Sequence, residues 1–307
     1  MTLHTDWRDI PKDALGTVAA LGNFDGVHRG HVHLLNSLRA ARPDHPLSVV
    51  TFDPHPRELF RPQDPPCRLM LPDVRAKALE EQGVSHVFQI PFDEEFSRLS
   101  AESFVQDVLL RSLGVRHVAC GADFAFGHRR TGNTDDLEAL LAPKGVGLTI
   151  VPQLVDEGGP ISSSRIRRLL QEGYPERAAL ELGRPWSIVG PVIHGDQRGR
   201  LLGFPTANLS LRQHLEPARG VYAVQVTLPD GRVIPGVANI GRRPTINDGQ
   251  ESRLEVHLFD FSEDLYGKTL SVALIALLRD EKRFSGLEEL KAQIAQDAEQ
   301  ARGLLEI

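Results

Sequence analysis

The chain has 307 residues, a formal net charge of -6, 41% hydrophobic and 25% charged residues, and two cysteines. Its length suggests about two domains of ~150 residues, and its composition is that of an ordinary soluble globular protein with no acidic or basic extreme. The acidic balance excludes an electrostatic grip on nucleic acid; Cys67 and Cys120 provide no disulfide framework, so a reducing cytoplasm is expected; no run of about 18 apolar residues provides a membrane span, and MTLHTDWRDI is not a secretory leader.

The first half alternates short apolar strands with amphipathic helices. TVAALG (17–22) reads as a strand ending in Gly22. A helix follows over 31–42, opened by Gly30, with Val32, Leu34, Leu35 and Leu38 on one face and Pro43 beyond its end. Residues 47–52 read as a buried strand, 73–83 as a helix closed by Gly83, and 84–90 as a strand. A helix over 100–114 starts at a Ser100 cap, turns Phe104, Val108 and Leu109 inward, and ends at Gly114. Strand 115–120, helix 134–142 and strand 146–151 complete the series. This order predicts a Rossmann-like parallel α/β sheet with right-handed crossovers, which binds ligands beyond the C-terminal ends of its strands.

The character changes after GYPERAALELGRPW (173–186), which reads as a short helix and a linker. A boundary there gives domains 1–183 and 184–307. Alternating runs then follow one another closely, with Asp230-Gly231 as a hairpin turn, so a small antiparallel β-barrel is expected. A final helix carries Leu287, Leu290, Ile294 and Ala298 on one face.

The stretch GNFDGVHRGH (22–31) sits where a strand ends and a helix begins. A helix N-terminus offers unpaired N–H groups and partial positive charge to an anion, and Gly30 lets a phosphate approach the main chain. His28 and His31, three residues apart, can face one ligand; Asp25 can take a metal ion or a polar ligand group. The same spacing fits a tight turn with surface histidines. Zinc at His28, His31 and His33 is a weaker alternative, because His31 and His33 point to different helical faces and no cysteine is near. No Gly-x-x-x-x-Gly-Lys-(Ser/Thr) and no Gly-x-Gly-x-x-Gly occurs, which disfavours a P-loop NTPase and an NAD-type enzyme.

GNFDGVHRGH resembles the ATP-binding signature of the nucleotidylyltransferase superfamily. Together with TFDPHP (51–56), GADFAFGHRRTG (121–132) and ISSSRIR (161–167), it resembles the FMN adenylyltransferase module of bacterial bifunctional riboflavin kinase/FAD synthetases. GRLLGFPTANL (199–209), GVANIGRRPT (236–245) and LEVHLFDFSEDLYG (254–267) resemble the riboflavin kinase module, so the resemblance covers nearly the whole chain. It implies two ATP-dependent reactions: phosphorylation of riboflavin to FMN in the C-terminal half, and adenylylation of FMN to FAD with release of pyrophosphate in the N-terminal half. Small-molecule substrates, Mg²⁺ and a cytoplasmic enzyme of undetermined oligomeric state follow from it.

The resemblance also implies site residues. For the first reaction site these are Gly22, Phe24, Asp25, His28, Gly30 and His31 on ATP, with His28 and His31 stabilising the transition state. Ser163, Ser164 and Arg167 join them, and Ser164 replaces the Thr of most relatives. Asp53, His55, Asp123, Phe124 and Phe126 lie towards flavin and phosphate. In the second half Gly195, Gly199, Arg200, Gly203, Thr206 and Asn208 lie on ATP, Thr206 and Asn208 hold Mg²⁺, and Glu255 is the general base. Alone, each stretch has a plainer reading: a serine cap, a proline turn, core phenylalanines, a solvated carboxylate. Glu255 lies between Leu254 and Val256, so it faces away from the apolar side of its strand.

Overall fold

A computed structural model describes residues 1–195, 203–211, 213–244 and 250–307, with backbone alone at 242–244, 250 and 251; Gly199 and Arg200 lie outside the described residues. The chain forms two compact units, Met1–Pro65 with Pro72–Ser162, and Pro66–Leu71 with Ser163–Ile307.

In the first unit six strands, β1 (Thr2–His4), β2 (Val18–Leu21), β3 (Leu47–Asp53), β4 (His86–Pro91), β5 (His117–Gly121) and β6 (Gly147–Val151), form one parallel sheet in the order β1-β4-β3-β2-β5-β6. β2 is buried along its whole length, as a central parallel strand covered on both faces must be. From β2 the chain steps to β3 on one side and later returns to β5 on the other. The loops after β2 and β5 therefore flank the point where strand order reverses, which is where open α/β sheets bind ligands. A two-strand ribbon, β7 (Val155–Asp156) and β8 (Gly159–Pro160), leads out of the sheet.

Among the described residues the α-helices are α1 (Arg29–Ala41), α2 (Pro56–Phe60), α3 (Pro72–Glu81), α4 (Glu94–Ser97), α5 (Ala101–Ser103), α6 (Thr134–Leu141), α7 (Ser163–Gln171), α8 (Pro175–Leu182) and α9 (Leu287–Leu304). Three depart from the sequence reading. α1 opens at Arg29, and His28 rather than Gly30 sets its start, because the His28 ring caps the first turn. The Ser100 cap is present, accepting a hydrogen bond from the Ser103 amide, but after α5 the chain winds more loosely as a π-helical run Phe104–Ser112, which still buries Phe104, Val105, Val108 and Leu109. On α9 Leu287 is 68% exposed, and the helix turns Asp297 and Ala301 inward instead.

The second unit holds six antiparallel strands in the order β10-β13-β12-β11-β14-β9: β9 (Trp186–Pro191), β10 (Ala207–Ser210), β11 (Gly220–Thr227), β12 (Val233–Pro244), β13 (Gln250–Leu258) and β14 (Thr269–Asp280). The Ile193 amide donates to the Asn208 carbonyl at 2.8 Å, bringing the chain beyond β9 to β10 and nearly closing a barrel. Inward residues Ile188, Leu209, Ile240, Leu254, Val256 and Val272 form the core. Ile166, Leu169, Leu170, Ala178 and Leu182 of α7 and α8 join that same core, so the helices before residue 183 pack with the barrel. Their apolar faces gain most where the barrel leaves apolar surface to cover. α9 covers Val221, Ala223 and Val237 on the outer face, held there by Arg279, whose Nε and Nη2 donate to both carboxylate oxygens of the buried Asp297.

Candidate active sites

In the first unit the turn between β2 and α1 is built from buried parts. Phe24 and Val27 adopt left-handed backbone with φ of 51° and 40°, and Gly26 between them has φ of 88°. Phe24 is fully buried and its ring lies 4.8 Å from that of His31. It supports His31 rather than offering a surface to ATP. Asp25 is also buried, 3% exposed. Two donors on other elements fix the turn: Thr51 Oγ1 on β3 and Arg75 Nη1 on α3 both donate to the Asn23 carbonyl, at 2.9 and 3.1 Å. Arg75 Nη2 donates to Gln89 Oε1 on β4 at 3.1 Å. Thr51 opens the TFDPHP stretch, whereas Arg75 stands in no motif, and only the fold brings the two to this turn.

His28 and His31 cap one another. The His28 amide donates to His31 Nδ1 and the His31 amide to His28 Nδ1, both at 3.3 Å. The rings stack with centroids 3.6 Å apart. An Nδ1 that accepts a hydrogen bond carries no proton, so each neutral ring carries its proton on Nε2. The arrangement sets both rings at the N-terminus of a 13-residue helix, with His28 itself 5% exposed. A Cβ on Gly30 would lie 3.0 Å from His28 Nδ1 and Cε1 and 3.3 Å from the Ile161 carbonyl, so Gly30 makes room for the ring. The serine run starts at the next residue, Ser162, which ends the first unit. His33 lies on the exposed face of α1.

The neighbouring loops follow the C-terminal ends of β3 and β5. Asp53 ends β3, and His55 caps α2 by accepting from the Arg57 amide. After β5, Asp123 is exposed and accepts a 2.9 Å hydrogen bond from Gln153 Nε2, a partner outside every motif. Phe124 is half-buried; Phe126 is buried against Phe104, as a core ring rather than a pocket wall. In the second unit Ser163 and Ser164 open α7, and Arg167 Nε donates to the Cys67 carbonyl at 2.7 Å. Arg165 of the same helix pairs at 2.6 Å with the buried Glu181 of α8.

The barrel brings its predicted residues onto one row. Register sets Glu255 on β13 directly opposite Asn208 on β10 and Asn239 on β12. Directly opposed residues project to the same face with Cβ atoms about 4.5–5.5 Å apart. Their neighbours Leu209, Leu254, Val256, Ala238 and Ile240 fill the core, so the polar row lies outside it. Asn208 is 5% exposed, and its Oδ1 accepts no hydrogen bond among the described residues. A Cβ on Gly195 would lie 2.5 Å from Asn208 Nδ2, so Gly195 leaves space for that amide. Gly203 has φ of 85° in open space, and Thr206 is half-buried before β10. His257 Nδ1 lies 2.9 Å from the Pro205 carbonyl, a contact sequence reasoning did not single out.

A parallel α/β module with a helix N-terminus at its switch point, followed by an antiparallel barrel with an Asn-Glu-Asn row, is a two-module architecture with two candidate phosphate sites. The FAD synthetase family model matches residues 10–165 and the riboflavin kinase family model residues 182–305. The chain is 43% identical over 289 residues to the bifunctional riboflavin kinase/FMN adenylyltransferase of Escherichia coli K12, covering 94% of this chain and 92% of that one. It is 43% identical over 306 residues to the protein of that name from Pseudomonas fluorescens, covering 99% and 98%. A crystal structure described as a macrolide-efflux protein from Streptococcus pneumoniae superposes with a TM-score of 0.87 at 33% identity, covering 98% of both chains. Its description names a different activity, while among the described residues here no helix is long and apolar enough to cross a membrane.

The chain belongs to the bifunctional riboflavin kinase/FMN adenylyltransferase family. Its N-terminal half is the FAD synthetase module and its C-terminal half the riboflavin kinase module.

Proposed function

We propose that the two reactions run on the residues placed above. In the first unit, the α1 N-terminus and the Nε2–H groups of His28 and His31 hold the phosphates of ATP. A phosphate oxygen of FMN attacks the α-phosphorus, the new P–O bond forms, and pyrophosphate departs with the electron pair of the broken bond. The attacking group belongs to the substrate, so positioning and charge stabilisation suffice without a covalent enzyme nucleophile. Asp53, His55, Asp123 and Phe124 line the flavin side. Ser163, Ser164 and Arg167, at the start of α7 in the second unit, form an anion-favouring helix start of their own. The reciprocal capping of His28 and His31 supports this reading, because it leaves the proton of each neutral ring on Nε2 at the start of α1.

In the second unit, Glu255 accepts the proton of the riboflavin ribityl hydroxyl as that oxygen attacks the γ-phosphorus of ATP, and ADP leaves. Asn208 and Thr206 fit a magnesium ion: a buried amide oxygen that accepts no hydrogen bond among the described residues, two positions from a hydroxyl, is an oxygen donor set for a hard cation. Bound Mg²⁺ supplies neutralisation of phosphate charge. Both cysteines are buried, and we read the chain as an enzyme of a reducing cytoplasm.

Purified protein given riboflavin, ATP and Mg²⁺, with flavins resolved by chromatography, tests this assignment. His28→Ala and His31→Ala are expected to stop at FMN. Glu255→Gln is expected to lose about 10²–10⁴ in FMN formation while still converting added FMN to FAD. FAD output from His28→Ala equal to the unaltered chain, or kinase turnover unchanged in Glu255→Gln, overturns the corresponding assignment.

A further inference from the structure

We infer that His257 is a positioning residue of the kinase site: its ring fixes the turn that presents Thr206. The inference rests on the proposed metal clamp at Thr206 and Asn208. The β10–β13 ladder runs from Ser210↔Arg253 to Ala207↔Val256 and stops there. Continued in the same register it would set Thr206 against His257 and Pro205 against Leu258. Proline has no N–H to carry a ladder onward, so the backbone alone leaves Thr206 tethered on one side. Asn208 Nδ2 donates to the Thr206 carbonyl at 3.4 Å, and the His257 side chain adds a tether at the preceding residue. Its Nδ1 lies 2.9 Å from the Pro205 carbonyl, which can only accept, so Nδ1 is the N–H donor. The Phe204 ring meets the same imidazole edge-on, with centroids 5.4 Å apart.

The imidazole is itself well anchored. Its main chain pairs with Val237 on β12, and a Cβ on Gly236 would lie 2.5 Å from the His257 carbonyl, so the two strands meet closely there. His257 shares a strand and a face with Glu255, two residues away. One rigid strand therefore carries the proposed base and orients the segment bearing a proposed ligand. Groups that orient metal ligands typically matter by about 10–100-fold in metal affinity or activity.

Three full-length variants test this. His257→Phe keeps a ring against Phe204 and removes the donor; His257→Asn places an amide donor near the Nδ1 position; Thr206→Val removes the proposed ligand. Without nucleotide or metal, His257→Phe is expected to speed hydrogen exchange at the amides of Thr206 and Ala207. Its half-saturating Mg²⁺ for riboflavin phosphorylation is expected to rise about 10–100-fold, with adenylylation of added FMN unchanged. His257→Asn should behave as the unaltered chain. Unchanged exchange and Mg²⁺ requirement in His257→Phe overturn the inference. So does equal impairment of His257→Asn, or a matching loss of adenylylation, which would mark general damage. If Thr206→Val leaves the Mg²⁺ requirement intact, the metal clamp fails, and the exchange result still decides whether His257 holds the turn.

Discussion

Gly195→Ala isolates the kinase site with a single methyl group. The added Cβ would sit 2.5 Å from Asn208 Nδ2 and 2.6 Å from Cγ and Oδ1, whereas ordinary contact begins near 3.4 Å. The amide must therefore retreat by about 0.9 Å, or the chain at residue 195 must move by as much. Asn208 is 5% exposed on a paired strand, so it has little room to yield. Overpacking of this kind costs about 1–3 kcal/mol of stability. The catalytic cost is larger, since a misplacement of about 1 Å at a reacting centre can cost 10²-fold in rate. FMN formation from riboflavin should fall by about two orders of magnitude, while FAD formation from supplied FMN holds. The assay is initial rate of each half-reaction at saturating ATP, with a thermal melt to confirm folding. A kinase rate indistinguishable from the unaltered chain would refute the reasoning, because it would mean that the position of the Asn208 amide does not matter.

Arg75→Met removes the buried guanidinium that holds the Asn23 carbonyl and Gln89. Hydrogen bonds to charged groups are worth about 1.5–3 kcal/mol each, so urea unfolding should show a loss of that order, with FAD formation lowered and the kinase spared. Asp297→Ala leaves Arg279 without its two-pronged partner at the α9 contact. Breaking a buried pair costs about 3–5 kcal/mol; since Arg279 is partly exposed, the loss read by denaturation should lie at or below the lower figure. Acidification should loosen the β1 edge of the parallel sheet. His4 Nε2 and His86 Nδ1 lie 3.1 Å apart. Burial, and for His4 the neighbouring His86, hold both below the ordinary value of 6.5, with Asp13 opposing. The folded state thus binds fewer protons than the unfolded one as pH drops below 6.5, so stability present above 6.5 is lost on the way down. The protection factor at residues 2–4, taken relative to the intrinsic exchange rate at each pH, should fall between neutral pH and pH values below 6.5, and His86→Phe should blunt that change.

The strands and long helices were legible because their apolar residues repeat with the period of the element that buries them. β2, β3, β5 and α6 lie within a residue or two of the sequence reading. β1 was not: three residues carry no period, and Thr2–His4 becomes a strand only because β4 offers it a free edge. Leu287 continued the apolar stripe of α9 in sequence, yet it is exposed, because the helix meets the barrel through Asp297 and Ala301. Helices α7 and α8 read as the end of the first domain and a linker, and instead they share the barrel core.

At the sites, sequence by itself determined which residue types were available: imidazoles beside glycine at a helix start, a Thr-x-Asn pair, and a glutamate between apolar neighbours. These follow from local spacing, which the chain carries wherever it folds. Only the tertiary structure decided what each does. It turned Phe24 into a support for His31, gave Gly195 the task of clearing Asn208, set Glu255 between two asparagines, and brought Arg75 and His257 to turns far away in sequence. Such assignments depend on register and packing between elements distant along the chain, and no local pattern of residues encodes them.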